Sequence, residues 1–307
     1  PGLSLKMEAI GLSGITETPL VVVDTQRGGP STGLPTKQEQ SDLMAMIYGT
    51  HGEIPKIVMA PSTVEEAFYD TAEAFNLAEE YQVPVIILSD LQLSLGKQTV
   101  QPLDISKVEI RRGKLVQGDL GEQEGYFKRY EVTPDGVSPR VIPGMKNGIH
   151  HVTGVEHDET GKPSEAALNR IAQMDKRMRK VKNINFPVPV HTDAKHKDAD
   201  LLIVGFSSTR GVIEEGMERL EAEGIKVNHA HIRLIHPFPV DQMLPLVSSA
   251  KKVVVVENNA TGQLANIMKM NLGQVDKIKS ILKYDGNPFL PHEIHSKCKE
   301  MFQFGYI

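Results

Sequence analysis

Two kinds of hydrophobic pattern alternate along this chain. Uninterrupted runs of branched apolar residues predict strands buried on both faces of a parallel sheet, and apolar residues that recur at helical spacing predict amphipathic helices. The predicted strands cover residues 19–24, 56–59, 83–88, 201–204, 226–232 and 253–256. The predicted helices cover residues 38–48, 64–78, 164–180, 209–223, 240–247 and 263–270. This alternation indicates an α/β fold with helices on both faces of parallel sheets.

The alternation is interrupted once, which divides the chain into two predicted domains. Its 307 residues suffice for two domains at roughly 100–200 residues each. The first domain is predicted to span 1–190 and the second 191–307. Residues from about 96 to 162 are rich in glycine, proline and charge, and they are predicted to form a long excursion from the first domain. The basic run at 176–180 is interpreted as a solvated helix end favoured by the helix dipole.

Bulk composition argues against several classes of partner. The net charge of -5 and the pI of about 6.2 disfavour both nucleic acid and anionic membranes. No apolar run approaches the roughly 20 residues that span a bilayer. The single cysteine, Cys298, cannot form an internal disulfide, which favours a reducing, cytoplasmic compartment. It also cannot supply the several cysteine ligands of an iron–sulfur cluster, and it is interpreted as a small buried hydrophobe.

One loop carries side chains that suit ligand binding. Residues 27–37 follow the end of the first predicted strand, where open α/β sheets bind ligands. The donors in this loop that suit a carboxylate or a carbonyl are Arg27, Ser31, Thr32 and Thr36. An arginine can hold a carboxylate through two parallel hydrogen bonds. The alternative is a structural turn that carries a surface arginine. The loop matches neither a Walker A motif nor a GxGxxG motif.

The same loop resembles that of a known family. The segment Arg27-Gly28-Gly29-Pro30-Ser31-Thr32-Gly33-Leu34-Pro35-Thr36 is similar to the Arg-x-Gly-Pro-Ser-Thr-Gly-x-Pro-Thr loop of 2-oxoacid:ferredoxin oxidoreductase alpha subunits, and it looks most like the 2-oxoglutarate branch. The resemblance continues at residues 39–43, 60–62, 84–90, 153–159, 205–209 and 256–259. It implies two α/β units of the thiamine-diphosphate-enzyme kind, a partial pyrimidine-binding domain followed by a transketolase C-terminal-like domain.

The resemblance also implies roles for residues and partners. Arg27 matches the arginine that binds the 2-oxoacid carboxylate, and Thr36 matches a threonine of the same pocket. The family's thiamine diphosphate and magnesium are shared with a beta subunit, and the iron–sulfur cluster is expected on a partner. The implied reaction is oxidative decarboxylation of a 2-oxoacid, with 2-oxoglutarate favoured and pyruvate open. The acyl group passes to coenzyme A and the electrons pass to ferredoxin, within a hetero-oligomer.

The sequence departs from the family pattern near its beginning. It lacks an earlier segment with a Tyr-Pro-Ile-Thr-Pro-like motif and a glutamate that faces the cofactor's pyrimidine ring. Residues 1–5 resemble the later part of the family's Ser-Gly-Pro-Gly turn. The sequence is therefore interpreted as N-terminally truncated, and the catalytic residue that activates the cofactor is expected outside it.

Histidines raise the question of a metal site. His150 and His151 lie near the acidic segment 156–159, and histidine with carboxylate can bind zinc. Their spacing matches no metal signature, so no metal site is predicted. The resemblance places this loop near the active site, so His151 or Asp158 is expected in the substrate pocket; ordinary loop hydrogen bonding is the alternative.

Two further segments receive structural interpretations. His229 and His231 would share one face of a strand, and they are interpreted as sheet-edge histidines. Residues 257–262 follow a strand end and are interpreted as a subunit-packing loop.

Two functional hypotheses follow. The chain is either an oxidoreductase subunit that is inactive without its partner, or a non-catalytic assembly module. A thiamine enzyme that uses no ferredoxin is a third possibility, and the loop at 27–36 argues against it.

Overall fold

A computed structural model describes residues 1–122, 125–182 and 184–304. Its strands are β1 (Leu20–Gln26), β2 (Ile57–Met59), β3 (Pro84–Asp90), β4 (Val190–Asp193), β5 (Leu201–Phe206), β6 (Val227–Ile232), β7 (Leu234–His236), β8 (Lys252–Glu257) and β9 (Ile278–Leu282). Its α-helices are α1 (Met7–Thr16), α2 (Leu43–Tyr48), α3 (Val64–Tyr81), α4 (Leu91–Leu95), α5 (Ala167–Arg179), α6 (Arg210–Ala222), α7 (Val240–Ser249), α8 (Gln263–Leu272) and α9 (Pro291–Phe304).

The strands form two mainly parallel sheets. The first has the order β1-β3-β2-β7 and the second the order β4-β6-β5-β8-β9. The strand pairs are parallel, except that β7 and β4 join their sheets as antiparallel edge strands. The predicted α/β fold with two sheet-centred units is confirmed, and the two antiparallel edges are an addition to it. β4 begins at Val190, and β7, which lies later in the chain, completes the first sheet. The domain boundary at residue 190 stays a prediction.

The two sheets share one hydrophobic core. Leu88 at the end of β3 belongs to the same buried cluster as Phe206 at the end of β5 and Leu264 in α8. Separate clusters fill the space beneath α3, around Leu77, and beneath α6, around Met217. The continuous central cluster fixes the carboxyl ends of the two sheets relative to each other, because close-packed interiors resist displacement.

The excursion contains little regular structure. Among the described residues between α4 and α5, a 3-10 helix at Ile105–Lys107 is the one helix or strand. The segment is nevertheless anchored by buried side chains, chiefly Phe127, Tyr130 and Val141. Long loops in compact proteins are held in place by such contacts when they are not disordered.

The interpretation of the basic run at 176–180 as a solvated helix end is wrong. Lys176 is 0% exposed and Arg177 and Lys180 are each 2% exposed. Both lysines form ion pairs with the buried carboxylate of Glu17, which follows α1. The lysines of this run can be buried because the Glu17 carboxylate neutralises part of their charge. Glu17 lies about 160 positions earlier in the chain, so the sequence pattern gives no sign of this pairing.

Candidate functional site

A closed loop follows β1 at the carboxyl edge of the first sheet. Gln26, the last residue of β1, pairs with Asp90 at the end of β3. Beyond it, Gly28 N donates to Lys37 O at 3.0 Å and Leu34 N donates to Gly28 O at 3.0 Å. The enclosed Gly29–Pro30 peptide bond is cis. We call residues 27–37 the Arg27 loop.

Glycine is required at one position of the Arg27 loop. Gly33 has a φ of 46°, and a Cβ there would lie 2.6 Å from Gly28 O. Any side chain would therefore open the loop where its two ends meet. Ser31 also has a positive φ, 55°, which costs free energy for a residue other than glycine.

Arg27 lies half-buried at the base of this loop. Its Nη1 atom donates to Gly28 O at 3.2 Å and to Thr32 O at 2.5 Å. Both of the hydrogen bonds that Arg27 makes with described residues use Nη1, so Nε and Nη2 remain available to a ligand. Ser31, Thr32 and Thr36 are exposed. The structure therefore brings the four predicted substrate-binding residues into one solvent-facing loop.

Two carboxyl groups flank the Arg27 loop. Burial, and then the nearby Asp42 carboxylate, raise the pKa of Asp24 to about 7. Burial also raises the pKa of Asp42, while Arg27 opposes that shift. The Oδ2 atom of Asp24 is buried and has no hydrogen-bond partner among the described residues. Sequence analysis overlooked Asp24, although a carboxylate in an otherwise apolar strand was a usable signal.

The chain that leaves the Arg27 loop runs against the second domain. Gln38 N donates to Gly286 O at 3.1 Å and Gln40 N donates to Asn258 O at 2.6 Å. Asn259 Nδ2 donates to Gln40 O at 3.0 Å. The segment 257–262 therefore packs within its own chain, and Glu257, Asn258 and Asn259 are buried there. The contribution of its exposed residues 260 and 261 to subunit packing stays a prediction.

The structure does not bring His151 or Asp158 to the Arg27 loop. The His151 ring packs against Tyr126, with centroids 4.8 Å apart. Asp158 Oδ1 accepts from Thr160 N at 2.8 Å and from Lys162 N at 3.1 Å, which shapes its own turn. The neighbouring residues 152–154 line a cavity with Pro19 and Leu20. That cavity is at the amino end of β1, whereas Arg27 follows the carboxyl end.

In the acidic segment 156–159, Glu156 forms ion pairs with two arginines. The carboxylate of Glu156 accepts from Arg170 at 2.5 Å and from Arg177 at 2.6 Å. Within the described ranges, no group of three or more His, Cys, Asp or Glu side chains has an arrangement that could hold a metal ion. No helix in the same ranges is long and apolar enough to cross a bilayer.

His229 and His231 are interior residues, so their interpretation as sheet-edge histidines is wrong. The unpredicted strand β4 pairs with β6 and forms the edge of the sheet in its place. His229 and His231 are 3% and 0% exposed. Burial lowers the pKa of His229 to about 3 and that of His231 well below its ordinary value. Both rings are therefore neutral at physiological pH. Cys298 is also buried, and burial raises its pKa to about 12.

The cavity of about 630 Å³ between the two domains lies away from the Arg27 loop. Glu66 is central to it and accepts from His191 Nε2 at 2.7 Å and from Arg210 Nη1 at 2.8 Å. Asp70 pairs in turn with Arg233. Since its cations already face carboxylates, we interpret this cluster as a contact between the domains.

Comparison with known families agrees with the fold and with the family resemblance. Residues 1–177 match the model described as pyruvate flavodoxin/ferredoxin oxidoreductase, thiamine diP-bdg. Residues 199–294 match pyruvate:ferredoxin oxidoreductase core domain II. The chain therefore belongs to this oxidoreductase family, and within it to the 2-oxoacid:ferredoxin oxidoreductase alpha subunits. The resemblance predicted from the loop is confirmed.

Individual relatives define the extent of the match. The alpha subunit of 2-oxoacid:ferredoxin oxidoreductase 2 from Aeropyrum pernix is 39% identical over 99% of this chain and 47% of its own length. The 2-oxoglutarate synthase subunit KorA from Methanothermobacter marburgensis is 32% identical over 98% of this chain and 78% of its own length. A solved 2-oxoglutarate:ferredoxin oxidoreductase from Magnetococcus marinus, with 2-oxoglutarate, coenzyme A and succinyl-CoA bound, has a TM-score of 0.90 at 39% identity. That match covers 99% of this chain and 52% of the solved chain. The chain thus spans about half the length of the first relative and of the solved chain.

Proposed function

We propose that this chain supplies the 2-oxoacid-binding part of an alpha subunit. The assembled complex would oxidatively decarboxylate a 2-oxoacid, transfer the acyl group to coenzyme A and pass two electrons to ferredoxin. The observation that carries this proposal is Arg27, whose Nε and Nη2 atoms remain available above the carboxyl edge of a parallel sheet. The solved relative bound to 2-oxoglutarate and succinyl-CoA supports 2-oxoglutarate as the preferred substrate.

The proposed task of the Arg27 loop is to orient the substrate. The guanidinium would receive the carboxylate through a two-pronged contact, and the exposed hydroxyls of Ser31, Thr32 and Thr36 would donate to the remaining substrate oxygens. Holding the carboxylate in one place also fixes the adjacent 2-carbonyl carbon. The reacting atoms are then held in the correct geometry, which lowers the activation free energy. His151 and Asp158 lie outside this loop, and their proposed role in a pocket would require a partner surface at the other end of β1.

The residues of this chain fit part of a thiamine diphosphate site. Asp24 lies in β1 just before the Arg27 loop, and its buried Oδ2 atom, which has no hydrogen-bond partner among the described residues, suits a ring nitrogen or amine. The family resemblance assigns the diphosphate and its magnesium to a beta subunit, and the described residues contain no group of three or more His, Cys, Asp or Glu side chains that could hold a metal ion. When bound, the cofactor supplies the carbon nucleophile for the 2-carbonyl. The iron–sulfur cluster is likewise assigned to a partner, because the sequence has one cysteine.

Replacement of Arg27 tests the proposed function. In the assembled complex, Arg27→Ala should lower kcat/KM for the preferred 2-oxoacid by roughly ten- to a hundred-fold, since a hydrogen bond to a charged group contributes about 1.5–3 kcal/mol. Arg27→Lys should recover only part of this loss, because lysine lacks the planar fork. The measurement is kcat/KM for 2-oxoglutarate and for pyruvate, with thermal stability followed in parallel.

A surface arginine provides the matched control. Arg112 lies 55% exposed beside Glu79 in the excursion, and Arg112→Ala should leave kcat/KM near that of the wild type. If Arg27→Ala retained full efficiency with every 2-oxoacid, the loop would be a structural turn and the assembly-module hypothesis would gain ground. A higher wild-type kcat/KM for pyruvate than for 2-oxoglutarate would reverse the proposed substrate preference.

A further inference from the structure

Gln40 is a fully buried polar residue at the junction of the two sheets. We propose that it is a positioning residue, which holds Arg27 in place by joining the base of the Arg27 loop to the second domain. The inference deepens the proposed function and rests on it, because it gives Gln40 a role in 2-oxoacid binding that acts through Arg27. Four sets of contacts support it.

The side chain of Gln40 uses its amide fully. It is 0% exposed. Its Nε2 atom donates to Asp90 Oδ2 at 2.8 Å and to Phe206 O at 3.3 Å. Its Oε1 atom accepts from Asn258 N at 3.1 Å. One side chain therefore connects the end of β3 in the first sheet with the ends of β5 and β8 in the second.

Both main-chain groups of Gln40 also form hydrogen bonds with the second domain. Its N–H donates to Asn258 O and its carbonyl accepts from Asn259 Nδ2. These bonds require an extended segment, which explains why α2 begins at Leu43 and not at residue 38 as predicted. A buried polar residue with every group satisfied specifies one arrangement of its surroundings, because each lost bond would leave an unpaired group.

Arg27 lies between two anchors that both belong to the segment around Gln40. On one side, Gln26 Oε1 accepts from Asp42 N at 3.0 Å. On the other side, Gly28 N donates to Lys37 O at 3.0 Å. A shift of residues 37–42 away from the second domain would therefore move both neighbours of Arg27.

Side chains beside Gln40 reinforce the same connection. Gln38 Oε1 accepts from Gln92 N at 2.9 Å, and Ser208 Oγ donates to Asp90 Oδ2 at 2.7 Å. The acceptor that Gln40 uses on β3 is thus shared with the second domain. Placement errors of about 1 Å at a binding group can cost up to roughly a hundred-fold in rate, so small rearrangements here have catalytic consequences.

A double-mutant cycle in the assembled complex tests the inference. Gln40→Met keeps the length of the side chain and removes its three hydrogen bonds. It should lower kcat/KM for the 2-oxoacid roughly tenfold when Arg27 is present. In the Arg27→Ala background the same substitution should change kcat/KM by less than about twofold, because coupled residues are non-additive.

A buried glutamine elsewhere separates positioning from general stability. Gln173 is 0% exposed in α5, and its Nε2 atom donates to Tyr130 O at 3.0 Å. Gln173→Met should lower the Tm yet leave kcat/KM within about twofold of the wild type, since it lies in another part of the fold. If Gln40→Met fails to assemble, Gln38→Met goes through the same cycle, with a fall of at least about threefold expected.

The outcomes are distinguishable. Equal losses for Gln40→Met with and without Arg27, or no loss at all, would overturn the inference while leaving the role of Arg27 intact. An additive or absent effect of Gln38→Met would do the same where that variant replaces it. If Arg27→Ala itself had no effect on kcat/KM, the proposed function would fail, and the inference with it.

Discussion

At the scale of single residues, the buried carboxylate of Glu17 has the most unusual environment. Its oxygens lie 2.6 Å from Lys176 Nζ and 2.5 Å from Lys180 Nζ, with all three side chains buried. Arg129 adds a hydrogen bond to the Glu17 carbonyl at 2.6 Å. Burial alone would raise the pKa of Glu17, but Lys180, Lys176 and Arg129 outweigh it and lower the pKa to about 2. The carboxylate therefore stays ionised and neutralises part of a buried positive cluster.

Removal of this carboxylate should strongly destabilise the fold. Glu17→Gln leaves two buried ammonium groups without their counter-charge, and breaking a buried ion pair costs about 3–5 kcal/mol. The measurement is the free energy of unfolding from urea titration at neutral pH. The exposed Glu218 of α6 supplies a control, because Glu218→Gln should change stability by less than about 0.5 kcal/mol. Similar unfolding curves for the two variants would show that the cluster tolerates the loss.

The pH dependence of stability has a definite sign at Glu17. A folded pKa of about 2 lies below the ordinary value of 4.5, so the folded state binds this proton less tightly than the unfolded state. The contribution to stability is fully present above about pH 4.5 and is lost as the pH falls towards 2. In Glu17→Gln this acid-dependent component should be missing from the unfolding free energy. An unchanged acid dependence would assign it to other carboxyl groups.

The sequence predicted a local loop around Arg27 and did not reveal the pairing of Glu17, for one physical reason. The Arg27 loop is a local structure, since Gly28, Gly33 and Leu34 close it within a few residues, and its donors are contiguous in the sequence. Glu17 and Lys176 form an ion pair although they lie near opposite ends of the predicted first domain in sequence. No hydrophobic periodicity in the sequence indicates that pairing. Gln40 belongs with Glu17, because its importance depends on groups that other segments supply.

At the scale of elements, α6 and α9 pack unusually closely through Gly216. A Cβ atom at Gly216 would lie 2.9 Å from Ile294 Cγ2 and 3.0 Å from Ile294 Cβ. The neighbouring Gly211, in the same helix, faces no atom within 4 Å of such a Cβ. The two glycines therefore differ in packing although both lie in α6.

Alanine at these two positions should have opposite effects. Gly216→Ala adds a methyl group where the helices touch and should destabilise the protein by about 1–3 kcal/mol. Gly211→Ala should be neutral or stabilising by up to about 1 kcal/mol, because alanine loses less backbone entropy in a helix. Thermal unfolding of both variants measures the difference. Equal stabilisation by the two would mean that α9 can move aside at little cost.

The elements predicted from sequence are those whose signal is local. The apolar runs of β1, β3, β5 and β8 are continuous, and each strand was predicted to within two residues at either end. The edge strands β4 and β7 were missed because they are short and contain polar residues such as His191 and Asp193. In α2 the predicted start was five residues early, since hydrogen bonds to the second domain keep residues 38–42 extended.

At the scale of the whole molecule, the proposed function divides the catalytic parts between this chain and a partner. The Arg27 loop is proposed to provide donors for a 2-oxoacid, and the described residues contain no group of three or more His, Cys, Asp or Glu side chains that could hold a metal ion. The single cysteine is buried within the core around Ile213 and Ile294. The fold itself was predictable from hydrophobic pattern, but the division of the reaction between subunits was inferred through the family resemblance. Local pattern contains no information about groups that another chain would provide.

The last prediction is that the chain alone is inactive and that a cognate beta subunit completes it. The purified chain should bind no iron–sulfur cluster, because Cys298 is its one thiol and burial raises the pKa of that thiol to about 12, which disfavours the thiolate that metals require. It should reduce no ferredoxin with any 2-oxoacid. Mixing with the beta subunit should give a larger complex in size-exclusion chromatography, together with thiamine diphosphate binding and 2-oxoacid-dependent electron transfer. Cys298→Ala should leave the iron content of that complex unchanged, since the cluster is assigned to the partner. Turnover by the chain alone, or strictly monomeric elution in the presence of the beta subunit, would contradict this division of the site.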